Sequence, residues 1–210
     1  MANRKELGRR DPEGRREAIL QAGLTVFAAE GYAATKLDDV ADKAGVAKGT
    51  IYIHFKDKQD LFEQMVRDAV LPVIARLEGI AETPDLPAEL VFKALFDLFR
   101  TEVLETKRKD VLRLVMTEGP RFPAIAEFYH REVISRGLKQ IGVLLRRAEA
   151  RGELAHPSIV KFPQLVFAPL IMAVIWDALF ARIEPLELEG LLVAHRQLLL
   201  GSDKPRRAKS

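Results

Sequence analysis

Five polar or small residues between positions 48 and 54 have the types and spacing that suit contact with a polyanion. They supply a basic group, two hydroxyls, an imidazole and a position without a side chain, and no acidic residue interrupts them: Lys48, Gly49, Thr50, Tyr52 and His54. In a helical segment these residues would lie on the outward face or at the ends. A helix surface with many hydrogen-bond donors and no acid suits the major groove of DNA, which is lined with phosphates.

The residues around Gly45 predict the two helices that would present this surface. We predict one helix over residues 35–44 and a second over residues 47–53, with the turn at Gly45. A glycine tolerates the positive φ of such a turn, and the small Ala41 allows two backbones to approach. Apolar residues would hold the inner faces together: Val40, Ala44, Val46 and Ile51. The pattern predicts a helix–turn–helix, although a generic helical hairpin with a polar surface shares this spacing.

A longer string extends the pattern in both directions. It reads V-A-x-x-A-G-V-A-K-G-T-I-Y-x-H-F-x-x-K and is preceded by F-x-x-x-G-Y-x-x-T. Its fixed positions are Phe27, Gly31, Tyr32, Thr35, Val40, Ala41, Ala44, Gly45, Val46, Gly49, Thr50, Tyr52, Phe55 and Lys58. Over about residues 15–70 the sequence resembles the DNA-binding domain of the TetR family of bacterial transcriptional regulators. Past Pro87 it is similar to the family only in being helical and of the right length.

The resemblance implies a role for each residue of the pattern. Phosphate contacts would come from Thr35, Tyr52, His54 and Lys58, and the side chains nearest the base edges would be Lys36, Lys48 and Thr50. Gly49 would let the helix backbone approach the DNA closely. Phe27 and Phe55 would belong to the core. Ile53 stands where the family often has an aromatic or polar residue.

Helical periodicity and helix-capping residues predict helices along the rest of the chain. The first helix should begin at Asp11-Pro12 and end at Gly31, and another should begin at the capping residue Asp57 and bend at Pro72. Further helices are predicted over residues 87–105, 109–118, 123–151, 157–182 and 186–200. Because no segment alternates as a strand does, we predict an all-α fold.

The predicted helices divide into two domains. Residues 11–56 would form an N-terminal three-helix domain with the helix–turn–helix, and residues 57–200 a C-terminal helical ligand-binding and dimerisation domain. The first part of the second domain, residues 57–81, would be a connecting helix.

The two ends of the chain carry its positive charge. Residues 1–16 and 201–210 each have a net charge of +3, whereas the whole chain has only +3. We predict a flexible basic arm over residues 1–10 and a disordered basic tail over residues 201–210. The arm would either enter the adjacent minor groove through its basic residues or remain a solubilising end; these residues are Arg4, Lys5, Arg9 and Arg10.

Two apolar segments near the C-terminus predict a partner surface. Residues 162–181 contain only Gln164 and Asp177 as polar side chains, and a helix this apolar must be buried on every side. The last helix has an apolar stripe of Leu188, Leu191, Leu192, His195, Leu198 and Leu199. Two such helices from each subunit would form a four-helix interface in a symmetric homodimer. Alternatively, both helices are the core of a monomer.

Large apolar side chains in the C-terminal half predict a pocket for a small, largely apolar effector. The residues proposed to line it are Phe96, Phe99, Met116, Phe128, Phe167 and Trp176. Aromatic residues at helical spacing more often belong to the core, so this alternative stays open. Asp177, beside Trp176, would pair with a cationic ligand or be a solvated carboxylate.

Several classes of protein are excluded by residues that the sequence lacks. It has no cysteine, and its four histidines are far apart: His54, His130, His156 and His195. Disulfides, thiolate metal sites and cysteine nucleophiles are therefore excluded, and no histidine pair has the spacing of metal ligands. Nucleophile-elbow and dinucleotide-binding motifs are also missing. We expect a protein that is not an enzyme and uses neither a cofactor nor a metal.

The composition predicts a cytoplasmic protein. Hydrophobic residues make up 48% and charged residues 30%, which is typical of globular proteins. The longest apolar stretch, Leu165 to Trp176, is too short to span a bilayer. The basic N-terminal residues are not followed by the apolar core of a secretory signal.

These observations together predict a ligand-responsive transcriptional regulator. It would bind a palindromic DNA operator as a homodimer, repress transcription, and be released by a small effector. The alternative is an all-α small-molecule-binding or interaction protein that does not bind DNA. The donor-rich surface of residues 48–54 separates the two hypotheses, since an interaction domain has no need for it.

Overall fold

Helices account for every regular element in the part of the chain that the computed structural model describes, residues 12–83 and 86–201. The α-helices, in chain order, are α1 (Pro12–Ala34), α2 (Leu37–Ala44), α3 (Lys48–His54), α4 (Lys58–Glu82), α5 (Ala88–Phe99), α6 (Arg108–Glu118), α7 (Pro123–Tyr129), α8 (Ser135–Ala150), α9 (Gln164–Leu179) and α10 (Leu188–Leu200). Two π-helical turns, Arg100–Leu104 and His130–Ile134, follow α5 and α7, and a 3₁₀ turn, Pro157–Lys161, precedes α9. The all-α prediction is confirmed.

The predicted helix ends are correct where a glycine or an aspartate determines them. Gly31, with φ 78° and ψ 168°, separates the main part of α1 from a short continuation. The carboxylate of Asp57 accepts a hydrogen bond from the backbone N–H of Asp60 at 2.8 Å, so it caps α4 as predicted. Helix α4 continues through Pro72. Asp11, the predicted cap of α1, lies outside the described residues, as do the basic arm and residues 202–210 of the tail.

Two predicted helix boundaries need correction. Residues 157–182 do not form one helix, because Phe162 has an extended φ of −129° before Pro163, and a proline disfavours helical geometry in the residue before it. Helix α2 begins at Leu37 and not at Thr35, where the prediction began it. Lys36 occupies the N-cap position, while the Thr35 hydroxyl donates to the Gly31 carbonyl at 2.8 Å.

The first of two compact units contains residues 12–72 together with Asp110–Glu132. Its centre is aromatic: the ring centroids of Phe27, Tyr32 and Phe62 lie 5.6–5.7 Å from one another. Such ring pairs add to the stabilisation gained from burial. The segment Asp110–Glu132 reaches this centre through Phe122, whose ring is 5.1 Å from that of Tyr32. The sequence did not predict that this segment joins the helix–turn–helix.

The second unit contains Val73–Lys109 and residues 133–201. Its core combines side chains from α4, α5, α8, α9 and α10, including the fully buried Ile141, Leu145 and Leu170. The two compact units do not follow the domains drawn from the sequence, since the first unit includes part of the C-terminal half. The boundaries 11–56 and 57–200 remain predictions.

None of the helices in the described residues is both long and apolar enough to cross a membrane. Within the same residues, no three His, Cys, Asp or Glu side chains are grouped as metal ligands would be.

Candidate nucleic-acid interface

The turn between α2 and α3 has a geometry that requires glycine. Gly45 has φ 69° and ψ 31°, a left-handed conformation that a side chain disfavours. Its backbone N–H donates to the carbonyl of Asp42 at 3.2 Å, and the N–H of Val46 donates to that of Ala41 at 3.1 Å. These two bonds form a Schellman motif, which satisfies carbonyls at the end of α2. The turn is therefore fixed, and the predicted helix–turn–helix is present.

Buried side chains on α3 determine which face of the helix points outward. Ile51 and Phe55 are buried, and Val40 and Ala41 of α2 are buried with them. The predicted core positions Phe27 and Phe55 are confirmed. On the outward face of α3 lie the exposed residues Lys48, Gly49, Tyr52 and Ile53, while Thr50 and His54 are half-buried.

An ion pair holds Lys48 at the start of α3. Its ammonium donates to a carboxylate oxygen of Asp38 at 2.6 Å, and both side chains are solvent-exposed. The hydrogen bond to Asp38, followed by the charge of the same group, raises the pKa of Lys48 above its usual value. Lys48 therefore stays cationic. The acidic partner of Lys48 lies on α2, outside residues 48–54, so the absence of acidic residues within that segment gave no sign of it.

Lys58 forms part of the protein's own structure. Its ammonium donates to the carbonyls of Tyr32 at 2.7 Å and Ala33 at 3.0 Å, and it lies 4.8 Å from the centroid of the Tyr32 ring. A cation at these carbonyls stabilises the end of α1. An ammonium has three donors, so one remains for the predicted phosphate contact.

Thr35 and Lys36 differ in what they offer to DNA. Thr35 is only 2% exposed, and its hydroxyl donates to the Gly31 carbonyl. Because a phosphate oxygen needs a donor, this geometry gives the predicted phosphate contact of Thr35 no support. Lys36 is exposed at the start of α2, as a residue that reaches DNA must be.

Gly49 has open space where a side chain would be. A Cβ built on this residue would have no protein atom within 4 Å. At Gly31, by contrast, a Cβ would lie 2.7 Å from a carboxylate oxygen of Glu118. The positive φ of Gly31 therefore explains the glycine at position 31, whereas no contact within the protein explains the one at position 49.

The six residues predicted to line an effector pocket are divided between the two units. Three of them belong to the apolar core of the second unit or pack against it: Phe96, Phe99 and Phe167. The ring centroids of Phe99 and Phe167 are 6.5 Å apart. In the same unit, Trp176 packs on Phe180 and its indole N–H donates to the Glu184 carbonyl at 2.7 Å.

The other two predicted pocket residues, Met116 and Phe128, belong to the first unit. Met116 is exposed. Phe128 is buried, with the guanidinium of Arg67 4.8 Å from its ring centroid. A core position explains Phe128, as the alternative interpretation of these aromatic residues expected.

A cleft in the second unit has a different lining from the one predicted. Its walls are Thr83, Leu86, Ala88, Val91, Phe92, Leu144, Arg147 and Arg151. Both arginines donate to backbone carbonyls, Arg147 to that of Ala81 and Arg151 to that of Leu86. Asp177 pairs with Lys109 at 2.9 Å, so its carboxylate already has a cation from the protein itself.

Comparison with known proteins identifies the family. The family model described as "Bacterial regulatory proteins, tetR family" matches residues 19–65, and the model described as "Tetracyclin repressor-like, C-terminal domain" matches residues 80–184. The chain belongs to the TetR family. The resemblance seen in the sequence is thus confirmed. This TetR-family protein is a DNA-binding, ligand-responsive transcriptional regulator and not an enzyme.

Named relatives agree with this assignment. The chain is 30% identical over 142 residues to the transcriptional repressor KstR2 of Mycolicibacterium smegmatis, covering 67% of this chain and 68% of the relative. It is 33% identical over 151 residues to the transcriptional repressor BepR of Brucella suis, with coverage of 67% and 68%. The solved structure of FadR from Bacillus subtilis, in complex with stearoyl-CoA, shares the fold with a TM-score of 0.71 at 21% identity, covering 88% of this chain and 97% of FadR.

Proposed function

We propose that this TetR-family regulator is a repressor that binds a palindromic operator as a homodimer and releases it when a small, largely apolar effector binds. The observation that carries the DNA-binding part is the outward surface of α3. A fixed turn presents Lys48 and Tyr52 to solvent beside Gly49, and Tyr52 is 58% exposed. A cation and a phenol hydroxyl in this position can donate to phosphates and base edges.

Among the predicted DNA contacts, the exposed residues have the strongest support. Base contacts are proposed for Lys36, Lys48 and Thr50, and phosphate contacts for Tyr52, His54 and the remaining donor of Lys58. Asp38 keeps Lys48 in place at the start of α3. We propose that Asp38 holds Lys48 in position while the other donors of its ammonium contact a base edge or phosphate when DNA binds, because an ammonium has three donors.

The test of DNA binding uses Lys48→Ala and a control lysine. Duplexes selected from a random pool by the full-length protein provide the operator probe. Lys48→Ala should weaken binding and relax base preference at one position, whereas a loss that is uniform over all sequences would mark Lys48 as a phosphate contact. Lys43→Ala, an exposed lysine on α2 outside the proposed set, is the matched control. A protein that enriches no sequence from the pool would contradict the proposed operator binding.

Exposed apolar residues on α9 and α10 support the homodimer. On α9, Met172 is 50% and Leu179 63% exposed. Leu165 is also exposed and lies about two helical turns before Met172, on the same side of the helix. Leu198 of α10 is exposed as well. A row of large apolar groups in water is unfavourable, and a second copy of the same helices would cover it. We therefore place the dimer interface on α9 and α10.

A pair of equally exposed residues tests the interface. Met172→Asp should convert the dimer into a monomer in analytical ultracentrifugation and weaken operator binding, since a charge would be buried between subunits. Leu90→Asp introduces the same charge at a residue of α5 that is also 50% exposed, and it should leave the dimer intact. Dissociation by both variants or by neither would place the interface elsewhere.

For the effector we propose a largely apolar molecule bound in the second unit near Phe99 and Phe167. Both side chains are half-buried and pack against the core, so an apolar ligand could reach them by displacing few contacts. FadR of Bacillus subtilis, which shares the fold, was solved with stearoyl-CoA, a molecule with a long apolar chain. A coupling of about 1–3 kcal/mol between effector and operator would be sufficient for a switch.

The single tryptophan, Trp176, makes effector binding measurable. Titration with stearoyl-CoA should change its fluorescence to saturation and release the selected operator duplex. Phe99→Ala should weaken this response about tenfold, because about 1.4 kcal/mol of apolar contact would be lost. Phe162→Ala, an exposed phenylalanine outside the proposed site, should not change it. Equal effects of both variants would contradict the proposed site.

Two further parts of the proposal concern signalling and location. Helix α4 runs from the first unit into the second through Pro72, and we propose that it transmits the effector signal. An unchanged effector response in Pro72→Ala would show that the proline has no part in it. Since its target is operator DNA, we place the protein in the cytoplasm.

A further inference from the structure

Helix α3 exposes a large apolar side chain. Ile53 is 80% exposed and forms no part of the core, whereas Ile51, two residues earlier, is buried. A β-branched residue is also a weaker helix former than alanine, leucine or lysine. Neither packing nor helix formation therefore calls for an isoleucine at position 53. An exposed Ile is unremarkable by itself, so its neighbours on the helix must decide what it does.

Gly49 lies one helical turn before Ile53 on the same side of α3. Residues four apart on a helix are neighbours on one face. No protein atom lies within 4 Å of the position that a Cβ of Gly49 would occupy. Glycine is a poor residue inside a helix, and here the protein gains no contact from it. The face of α3 that contains Ile53 therefore has no side chain at position 49. A binding partner can approach the helix backbone more closely there.

Cationic and hydroxyl groups flank this face. Lys48 and Tyr52 are also four residues apart and are both exposed, so they form the adjacent ridge of α3. If these groups contact phosphates and base edges, Ile53 is carried into the major groove with them. The apolar group that the floor of this groove offers is the C5-methyl group of thymine.

We propose that Ile53 determines operator specificity by contacting the C5-methyl group of one thymine in each half-site, and that Gly49 provides the space for this approach. The aliphatic side chain has no donor or acceptor, so it selects the methyl group and not a hydrogen-bonding edge. The inference rests on the DNA-binding function. It adds a specificity residue to the donors on α3.

The experiment removes only the methyl group. The full-length protein first selects its preferred duplexes from a random pool, and each thymine of a selected half-site is then replaced by uracil, one at a time. At the contacted position the native protein should lose about fourfold in affinity per half-site, the value of about one buried methyl or methylene group. For Ile53→Ala the same replacement should have no effect at that position. Ile53→Val, which keeps a branched aliphatic side chain, should restore part of the dependence.

Two variants test whether a loss of DNA binding could result from unfolding. Ile53 is exposed, so Ile53→Ala should unfold at the same temperature as the native protein. Gly49→Ala should also remain folded, since its Cβ meets no protein atom, and yet bind the selected duplex at least tenfold more weakly. The uracil measurements at all other thymines serve as internal controls, because they should affect the native protein and Ile53→Ala equally.

Three outcomes would overturn the inference. Equal losses in the native protein and Ile53→Ala at every thymine would show that Ile53 contacts no methyl group. Selected half-sites that share no thymine would do the same, while leaving the DNA-binding function intact. Native affinity in Gly49→Ala would show that no close approach occurs there. If the pool yields no preferred sequence at all, the proposed operator binding itself fails.

Discussion

The helices α1 to α3 and the helices α9 and α10 use apolar residues in different ways. In the first set, Phe27, Ile51 and Phe55 are buried, and the exposed large apolar groups are Tyr52 and Ile53 on the outward face of α3. In the second set, exposed apolar groups occur along both helices and in the turn between them: Leu165, Met172, Leu179, Phe180, Ile183 and Leu198. Exposure is confined to the proposed DNA-binding surface in one region and extends over two helices in the other.

This difference is the one expected from the partner proposed for each region. A nucleic acid needs donors and cations with a few apolar contacts, so a small helix of seven residues is enough. A second copy of the chain needs a broad apolar area, because non-polar burial is the main source of free energy for association. We therefore expect substitutions in α1 to α3 to act through backbone geometry and individual donors, and those in α9 and α10 to act through buried area.

The largest effect on stability is expected for Gly31→Ala. The conformation of Gly31, with φ 78° and ψ 168°, is almost restricted to glycine, and a Cβ would meet Glu118 at 2.7 Å. We expect a loss of about 2–3 kcal/mol in the free energy of unfolding, measured by urea denaturation with far-UV circular dichroism. Gly152→Ala in the second unit, also with positive φ but no atom within 4 Å, should cost about 1 kcal/mol. Equal losses would show that the contact with Glu118 adds nothing.

A smaller loss is expected for Lys58→Met. This substitution keeps an unbranched side chain but removes the cation from the carbonyls of Tyr32 and Ala33. We expect a loss of about 1–2 kcal/mol in thermal or urea unfolding, in the range of hydrogen bonds to charged groups. The exposed Lys56, replaced in the same way, should cost less than about 0.5 kcal/mol. If Lys58→Met is as stable as the native protein, these hydrogen bonds do not contribute to stability. The proposed DNA contact would then be the only remaining role for this lysine.

Gly49→Ala should change stability in the opposite direction. Alanine favours the helix and its Cβ meets no protein atom, so the free energy of unfolding should rise by about 0.5–1 kcal/mol. The same urea experiment measures this gain. A more stable protein that binds DNA less well would show that this glycine serves the interface. A loss of stability would instead mean that α3 itself requires glycine.

The smallest expected effect is a dependence of folding stability on pH that arises from His195 on α10. Burial lowers the pKa of His195 in the folded protein, partly opposed by its hydrogen bond to the Leu165 carbonyl. The unfolded chain, with an ordinary pKa of about 6.5, then takes up the proton first as the pH falls. Stability should therefore be full above about pH 6.5 and decrease as the pH falls from there through the lowered pKa of the folded state. His195→Gln should weaken this dependence in thermal unfolding between pH 7.5 and 5, and an unchanged dependence in this variant would contradict the prediction.

Local sequence was sufficient to predict the geometry of the helix–turn–helix. Gly45, Ala41 and Ile51 lie where helical spacing predicted them, because a turn and a buried face are set by residues within about four positions. The same reasoning gave the all-α fold, the break in α1 at Gly31 and the start of α4. It also named the outward residues of α3, since the buried Ile51 leaves only one side to face solvent.

Contacts between residues far apart in the sequence became visible only in the folded structure. Asp38 reaches Lys48 across the turn, Lys58 returns to the end of α1, and the Thr35 hydroxyl turns inward to the Gly31 carbonyl. The folded structure also placed Asp110–Glu132 with the helix–turn–helix, which divided the predicted pocket residues between two units. Periodicity describes one helix at a time, whereas these contacts depend on how helices cross, and crossing angles follow from packing among many side chains.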